Sequence, residues 1–184
     1  MVGVPAGTGG GTVIEFIVPG QPKPKVTKKD RQGRIYTTPA TKEYQCRVAV
    51  YATQAMSAGP WPIMERGVPV ACEMVFFLHR PKNCPPDRIF PTVKPDDDNY
   101  GKACADGMSG VVYADDRQIV HRVVDKRYAN EARGQHPRTV IRVWVAGNRG
   151  NDSERKRQAI GALDRGHIET PVHERERKQN GRYK

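Results

Sequence analysis

No apolar run in this 184-residue chain approaches the roughly 18 residues that a membrane-spanning helix needs. The first residues also lack the basic stretch and apolar core of a secretory signal. The two absences predict a soluble, cytoplasmic protein with no membrane partner. Cysteine is sparse: Cys46, Cys72, Cys84 and Cys104 form no CxxC pair and have no histidine at metal-ligand spacing. That predicts reduced thiols and no zinc site. The run Gly7-Thr8-Gly9-Gly10-Gly11 lacks the Lys-Ser/Thr ending of a P-loop and precedes a strand instead of following one, so it carries no phosphate-binding role. Apolar residues make up only 37% of the chain, enough for one core with segments left outside it.

Negative charge is in the minority as well. Lys and Arg number 31 against 20 Asp and Glu, a net charge of +11, which predicts attraction to polyanions such as nucleic acid. Residues 1–11 hold five glycines and read as a flexible leader. Residues 147–184 carry ten Lys or Arg and six Asp or Glu with no apolar periodicity, and read as a disordered, charged tail. The folded domain is expected over residues 12–146.

Within that domain Ile14, Phe16 and Val18 alternate with Glu15 over residues 12–18, the period of a half-buried strand. Pro19-Gly20 ends it. Residues 21–36 then carry Lys23, Lys25, Lys28, Lys29, Arg31 and Arg34 against the single acid Asp30, a composition too polar for core and suited to a flexible, solvated arm on a DNA backbone. Thr38-Pro39 reads as the start of a helix to about residue 56, with Tyr44, Val48, Tyr51 and Ala55 as its core stripe. A second strand is expected over 68–78, with Val70, Cys72, Met74, Phe76 and Leu78 inward and Glu73 on the more exposed face. A loop with four prolines follows, on a defined but non-helical path. Strands are expected over 118–128 and 138–145, the last with Thr139, Ile141, Val143 and Val145 inward and Arg138, Arg142 and Trp144 outward. The fold class is α/β (α+β): a small mixed four-stranded sheet with two main helices.

The chain is organised around Lys94-Pro95-Asp96-Asp97-Asp98-Asn99, followed by Lys102, Asp106 and Asp115-Asp116. Carboxylates so dense repel one another unless a cation shares the site. Pro95 favours an extended approach, in which Asp96 and Asp98 point to one side and Asp97 away. Asp98 is suited to cap a helix over 98–109 that carries Lys102 and Asp106 on one face, with Gly110 just past its end. Magnesium fits such a donor set, because it takes carboxylate oxygens and is often completed by substrate phosphate. Singly, each feature has a plain structural account: a cap, a surface ion pair, a turn. Together they point to metal-assisted phosphate chemistry.

The blocks Asp96-Asp97-Asp98-Asn99, Lys102, Asp106-Gly107-Met108, Gly110-Val111-Val112-Tyr113 and Asp115-Asp116-Arg117-Gln118-Ile119-Val120 resemble the core signature of the RusA-type Holliday-junction resolvases. Pro19-Gly20-Gln21-Pro22, the basic arm and the Tyr44 helix are also similar, and the likeness runs over residues 14–145. Tyr100 and Gly101 depart from it, standing where the family usually has residues that favour helix. The resemblance implies a homodimeric nuclease making paired Mg²⁺-dependent nicks in branched DNA. It implies Asp96, Asp98 and Asp116 as catalytic acids on one or two Mg²⁺ ions, with Mn²⁺ as a substitute, and Lys102 as the catalytic lysine. Asp115, next to the matched acid, stays open as an alternative, and Asp106 is expected to be structural, as the partner of Lys102. A DNA-binding module without catalysis and a metal-dependent nucleotide phosphohydrolase are the competing functions.

Overall fold

The computed structural model describes residues 13–59, 61–130 and 134–147. The expected leader over 1–11, and all but the first residue of the expected tail over 147–184, lie outside the described residues.

Among the described residues six strands and two helices follow one another as β1 (Val13–Pro19), β2 (Thr27–Lys29), β3 (Ile35–Thr37), α1 (Pro39–Ser57), β4 (Val70–Leu78), α2 (Asp97–Met108), a 3₁₀ turn (Asp116–Gln118), β5 (Ile119–Tyr128) and β6 (Arg138–Val145). The main sheet has four strands in the order β1-β6-β4-β5. β6 is antiparallel to both β1 and β4, and β5 runs parallel to β4. A parallel pair needs a crossover, and α2 supplies it. The mixed sheet and the two helices are those read from the sequence.

One face of the sheet packs on the helices. Ile14, Phe16 and Val18 of β1, Cys72, Met74 and Phe76 of β4, and Ile141 and Val143 of β6 form a continuous core with Tyr44, Val48 and Ala52 of α1 and Tyr100, Cys104 and Met108 of α2. Tyr100, one of the two departures from the family pattern, stacks at a tilt on Phe76 with ring centroids 5.2 Å apart. At its hydroxyl end Tyr44 lies 2.6 Å from Thr139 Oγ1, so the two buried polar groups satisfy each other. The helices meet closely at Gly107, where an added Cβ would lie 2.8 Å from the Gln45 carbonyl oxygen.

Three expectations about exposure do not hold. Glu73, expected on the more exposed face of its strand, is buried, because β4 is flanked on both edges and all nine of its residues are inside. Its carboxylate accepts from Arg142 Nη1 at 3.3 Å, and the Nε of Arg142 donates to Glu15 on the far strand. Trp144, expected to face outward, is buried too, and so is not an exposed stacking surface for nucleic acid. Val145, expected inward, is exposed at the strand end. The second face of the sheet is therefore also closed, in part by charged side chains whose stems lie over apolar ones, as where Arg138 covers the Phe77 ring at 4.0 Å.

The basic segment is not a shapeless arm. β2 and β3 pair as an antiparallel hairpin whose turn is organised by Asp30: its carboxylate accepts from the backbone N–H groups of Gln32 and Arg34, both at 2.9 Å. Gly33 takes the positive φ that this turn requires. The hairpin is fastened to the start of α1 by Thr41, whose hydroxyl donates to the Pro24 carbonyl and accepts from the Val26 N–H.

Candidate active site

The cap of α2 falls two residues earlier than the capping rules suggest. Its helical residues start at Asp97, Asp96 is the flanking residue with extended backbone, and Asp98 lies in the first turn. Asp98 is therefore not the cap, and the alternation that set Asp96 and Asp98 on one side with Asp97 opposite does not apply across the helix start. What replaces it is electrostatic: Asp97 and Asp98 stand in the first turn, where unsatisfied N–H groups favour carboxylates. The approach to α2 is fixed by Lys126 of β5, whose ammonium donates to the Pro95 carbonyl at 2.9 Å.

Lys102 reaches back one turn to Asp98, Nζ to Oδ2 at 2.8 Å. The hydrogen bond from Lys102 holds the Asp98 carboxyl below the usual carboxylate range, with the Arg122 charge adding to the effect. Asp106 is not the partner of Lys102. It is taken by Lys25, at 2.8 Å, and by the side-chain amide of Gln45, at 2.7 Å. An acid four residues before a lysine is the better-oriented helical pair, which leaves Asp106 for a cation from elsewhere. Lys25 is brought there by its own N–H, which donates to the Asn99 carbonyl at 2.8 Å.

The second acidic pair arrives by a tightly held return. Val112 and Tyr113 are fully buried, and the Tyr113 hydroxyl donates to the Ala105 carbonyl of α2 at 2.9 Å. Gly110 turns the chain with a φ of 77°. Gln118 then fixes Asp115 and Asp116 in place. Its amide N–H donates to the carbonyls of Met64, Glu65 and Val68, while its oxygen accepts from the Asp115 N–H. The two acids fare differently. The Asp115 carboxylate is engaged by Arg117 through Nε, Nη2 and the backbone N–H, and these bonds hold it well below the usual range. Asp116 instead faces an open depression of about 310 Å³, lined also by Lys102, Ala105, Ile119, Val120 and Arg122.

Lys102 thus meets Asp98 directly and shares a depression with Asp116, while Asp96 flanks the same helix start. Among the described residues no three His, Cys, Asp or Glu side chains are gathered as ready metal ligands. Of the cations expected to touch nucleic acid, Lys23, Lys28, Lys29 and Arg31 stand exposed; Arg34 is exposed but pairs with Asp30 at 2.7 Å, and Lys25 is the tether to α2. Arg122 and Lys126 have no counterpart in the sequence reading, and Gln118 enters it only as a letter of the signature, with no role assigned. Gln118 and Lys126 act through backbone carbonyls, which no side-chain spacing announces.

A family model described as endodeoxyribonuclease RusA matches residues 17–143, from within β1 to within β6. The chain belongs to the RusA endodeoxyribonuclease family. The RusA match takes in β4, β5, both helices, the hairpin, the end of β1, most of β6, and the acids from Asp96 to Asp116. The chain is also similar to the uncharacterized protein YqaN of Bacillus subtilis (strain 168), at 46% identity over 43 residues, which is 23% of this chain and 30% of that relative. The chain thus aligns with less than a third of that relative's length. No helix among the described residues is long and apolar enough to cross a membrane.

Proposed function

We propose that this RusA-family protein is a divalent-metal-dependent endonuclease that cuts branched DNA, four-way junctions foremost, in recombination and repair, with residues 12–146 as the acting domain. The observation that carries the reading is the meeting of Lys102 with Asp98 at the start of α2, on the rim of the depression that Asp116 faces. The free state of all four cysteines suits a reducing cytoplasm.

Asp96, Asp98 and Asp116 are the residues that would hold one or two Mg²⁺ ions, or Mn²⁺ in their place. In kind the donors fit, since carboxylate oxygens suit a hard cation and the Lys102 bond holds the Asp98 carboxyl below its usual range, although the three carboxylates are not gathered as a ready ligand set. When bound, such an ion supplies the Lewis acidity for phosphodiester hydrolysis. Lys102 would exchange Asp98 for a phosphate oxygen and neutralise charge that builds there. Lys23, Lys28, Lys29 and Arg31 contact the DNA backbone, with Lys25 and Arg34 holding the hairpin in shape. A two-fold homodimer presents two equivalent sites to a pseudo-symmetric junction.

Replacing Asp98 with Asn tests the assignment. Cleavage of a labelled junction in Mg²⁺ is expected to fall by about 100-fold or more while junction binding is retained. Unchanged cleavage rejects the site.

A further inference from the structure

β5 changes parity within its first residues. Val70 of β4 pairs with Ile119, but Ala71 pairs with His121, so Val120 has no opposite number. An extra residue of this kind is a β-bulge, and it turns every side chain beyond it to the other face. Had the register continued unbroken from Val70 and Ile119, His121 would stand opposite Cys72 and face the helices. With the bulge, Arg122 stands opposite Cys72, on the helix-bearing face, followed by Val124 and Lys126. The helix makes room for it. A Cβ on Gly101 of α2 would lie 3.0 Å from Val124 Cγ2 and 3.5 Å from Arg122 Nε, so the glycine that departs from the family pattern leaves space beside α2 for β5 and its arginine. Arg122 lines the depression shared by Lys102 and Asp116, is exposed, and makes no ion pair or hydrogen bond with a described residue.

We propose that Arg122 is a second phosphate-binding cation of this site, clamping the non-bridging oxygens of the phosphodiester that is cut, from the strand side, while Lys102 approaches from the helix side. A guanidinium offers a planar fork of donors that matches two phosphate oxygens at once, which an ammonium cannot do. The assignment rests on the nuclease reading of the same depression and extends it to a residue outside the acidic signature.

Single-turnover cleavage of a labelled four-way junction by the full chain, in Mg²⁺, compares the parent with Arg122→Gln and Arg122→Lys. Junction affinity is measured alongside in Ca²⁺, with thermal midpoints to confirm folding. Arg122→Gln is expected to cleave about 10- to 100-fold more slowly with affinity within about threefold of the parent, and Arg122→Lys to recover part of the rate. Cleavage by Arg122→Gln within about twofold of the parent overturns the proposal. So does an affinity loss as large as the rate loss, which would class Arg122 with the general backbone contacts. A parent that leaves the junction intact overturns the nuclease reading itself, whereas an active parent with an indifferent Arg122→Gln overturns only the role of Arg122.

Discussion

The ammonium of Lys25 meets the carboxylate of Asp106 at 2.8 Å, so the basic segment is tied to the helix that carries Asp98 and Lys102. Both side chains are largely shielded, and a second bond from Gln45 holds the same oxygen of Asp106. Under the proposed function this contact would link DNA capture to the acidic site, because a strand held by the hairpin would be positioned relative to α2 through it.

Lys25→Met is therefore expected to slow junction cleavage several-fold while lowering stability by only about 1 kcal/mol, the upper end for a solvent-screened ion pair. Urea unfolding and single-turnover cleavage measured on the same variant separate the two effects. A variant that cleaves like the parent shows that the tether does not register the DNA.

Asp30 gives the hairpin a pH dependence of known sign. Bonds from the Arg34 backbone and side chain hold its carboxyl below the usual range. Its folded pKa being depressed, its contribution to the turn is fully present above the unfolded value of about 3.9 and is lost as pH falls through the lower folded value. Carbon-detected NMR titration should place Asp30 below an exposed reference aspartate, and Arg34→Gln, which removes the side-chain bond but keeps the backbone one, should move it part of the way back up. Coincident titration of Asp30 and the reference contradicts this.

Gly107→Ala sets helix propensity against packing. Alanine gains at most about 1 kcal/mol over glycine, the value for a helix interior, and less in the last turn where Gly107 stands. The new methyl would sit 2.8 Å from the Gln45 carbonyl oxygen and 3.0 Å from Val48 Cβ, where backbone and core must shift. Overpacking of this kind costs about 1–3 kcal/mol, so the net effect in denaturant unfolding is expected to be destabilising. A more stable variant means the two helices separate more easily than the contact distances imply.

The thiols divide by burial. Cys72 and Cys104 are buried, and burial pushes both up to about 12, so neither forms thiolate near neutral pH. Cys46 is exposed. A thiol reagent at neutral pH should label Cys46 first and reach Cys72 and Cys104 only on unfolding; early labelling of Cys104 means α2 detaches from the sheet.

Much of this architecture is legible in the sequence because period and punctuation agree there. Ile14, Phe16 and Val18 alternate in a strand that does lie on one face, and Thr38-Pro39 does open a helix with Tyr44 and Val48 inward. The misreadings have physical causes. Glu73 and Trp144 look solvent-facing because a single strand's pattern does not reveal that β4 and β6 are central and covered on both faces. Asp98 looks like a cap because three successive aspartates are all acceptable to a helix start, and only backbone geometry selects Asp96. Arg122 is hidden because simple alternation from Ile119 places it on the wrong side, and the bulge at Val120 reverses that. Asp115 and Asp116 are indistinguishable as letters; Arg117 occupies the first and leaves the second facing the depression.

In the proposed reaction the acids and Lys102 at the start of α2 cut branched DNA with a divalent ion. Incubating the full chain with end-labelled four-way junction and with linear duplex of the same sequence, with Mg²⁺ and with chelator, tests it most directly. Paired nicks in the junction in Mg²⁺, none in chelator and little cutting of the duplex are the predicted result. Salt-sensitive binding of the junction with no cleavage product in any divalent ion contradicts the account.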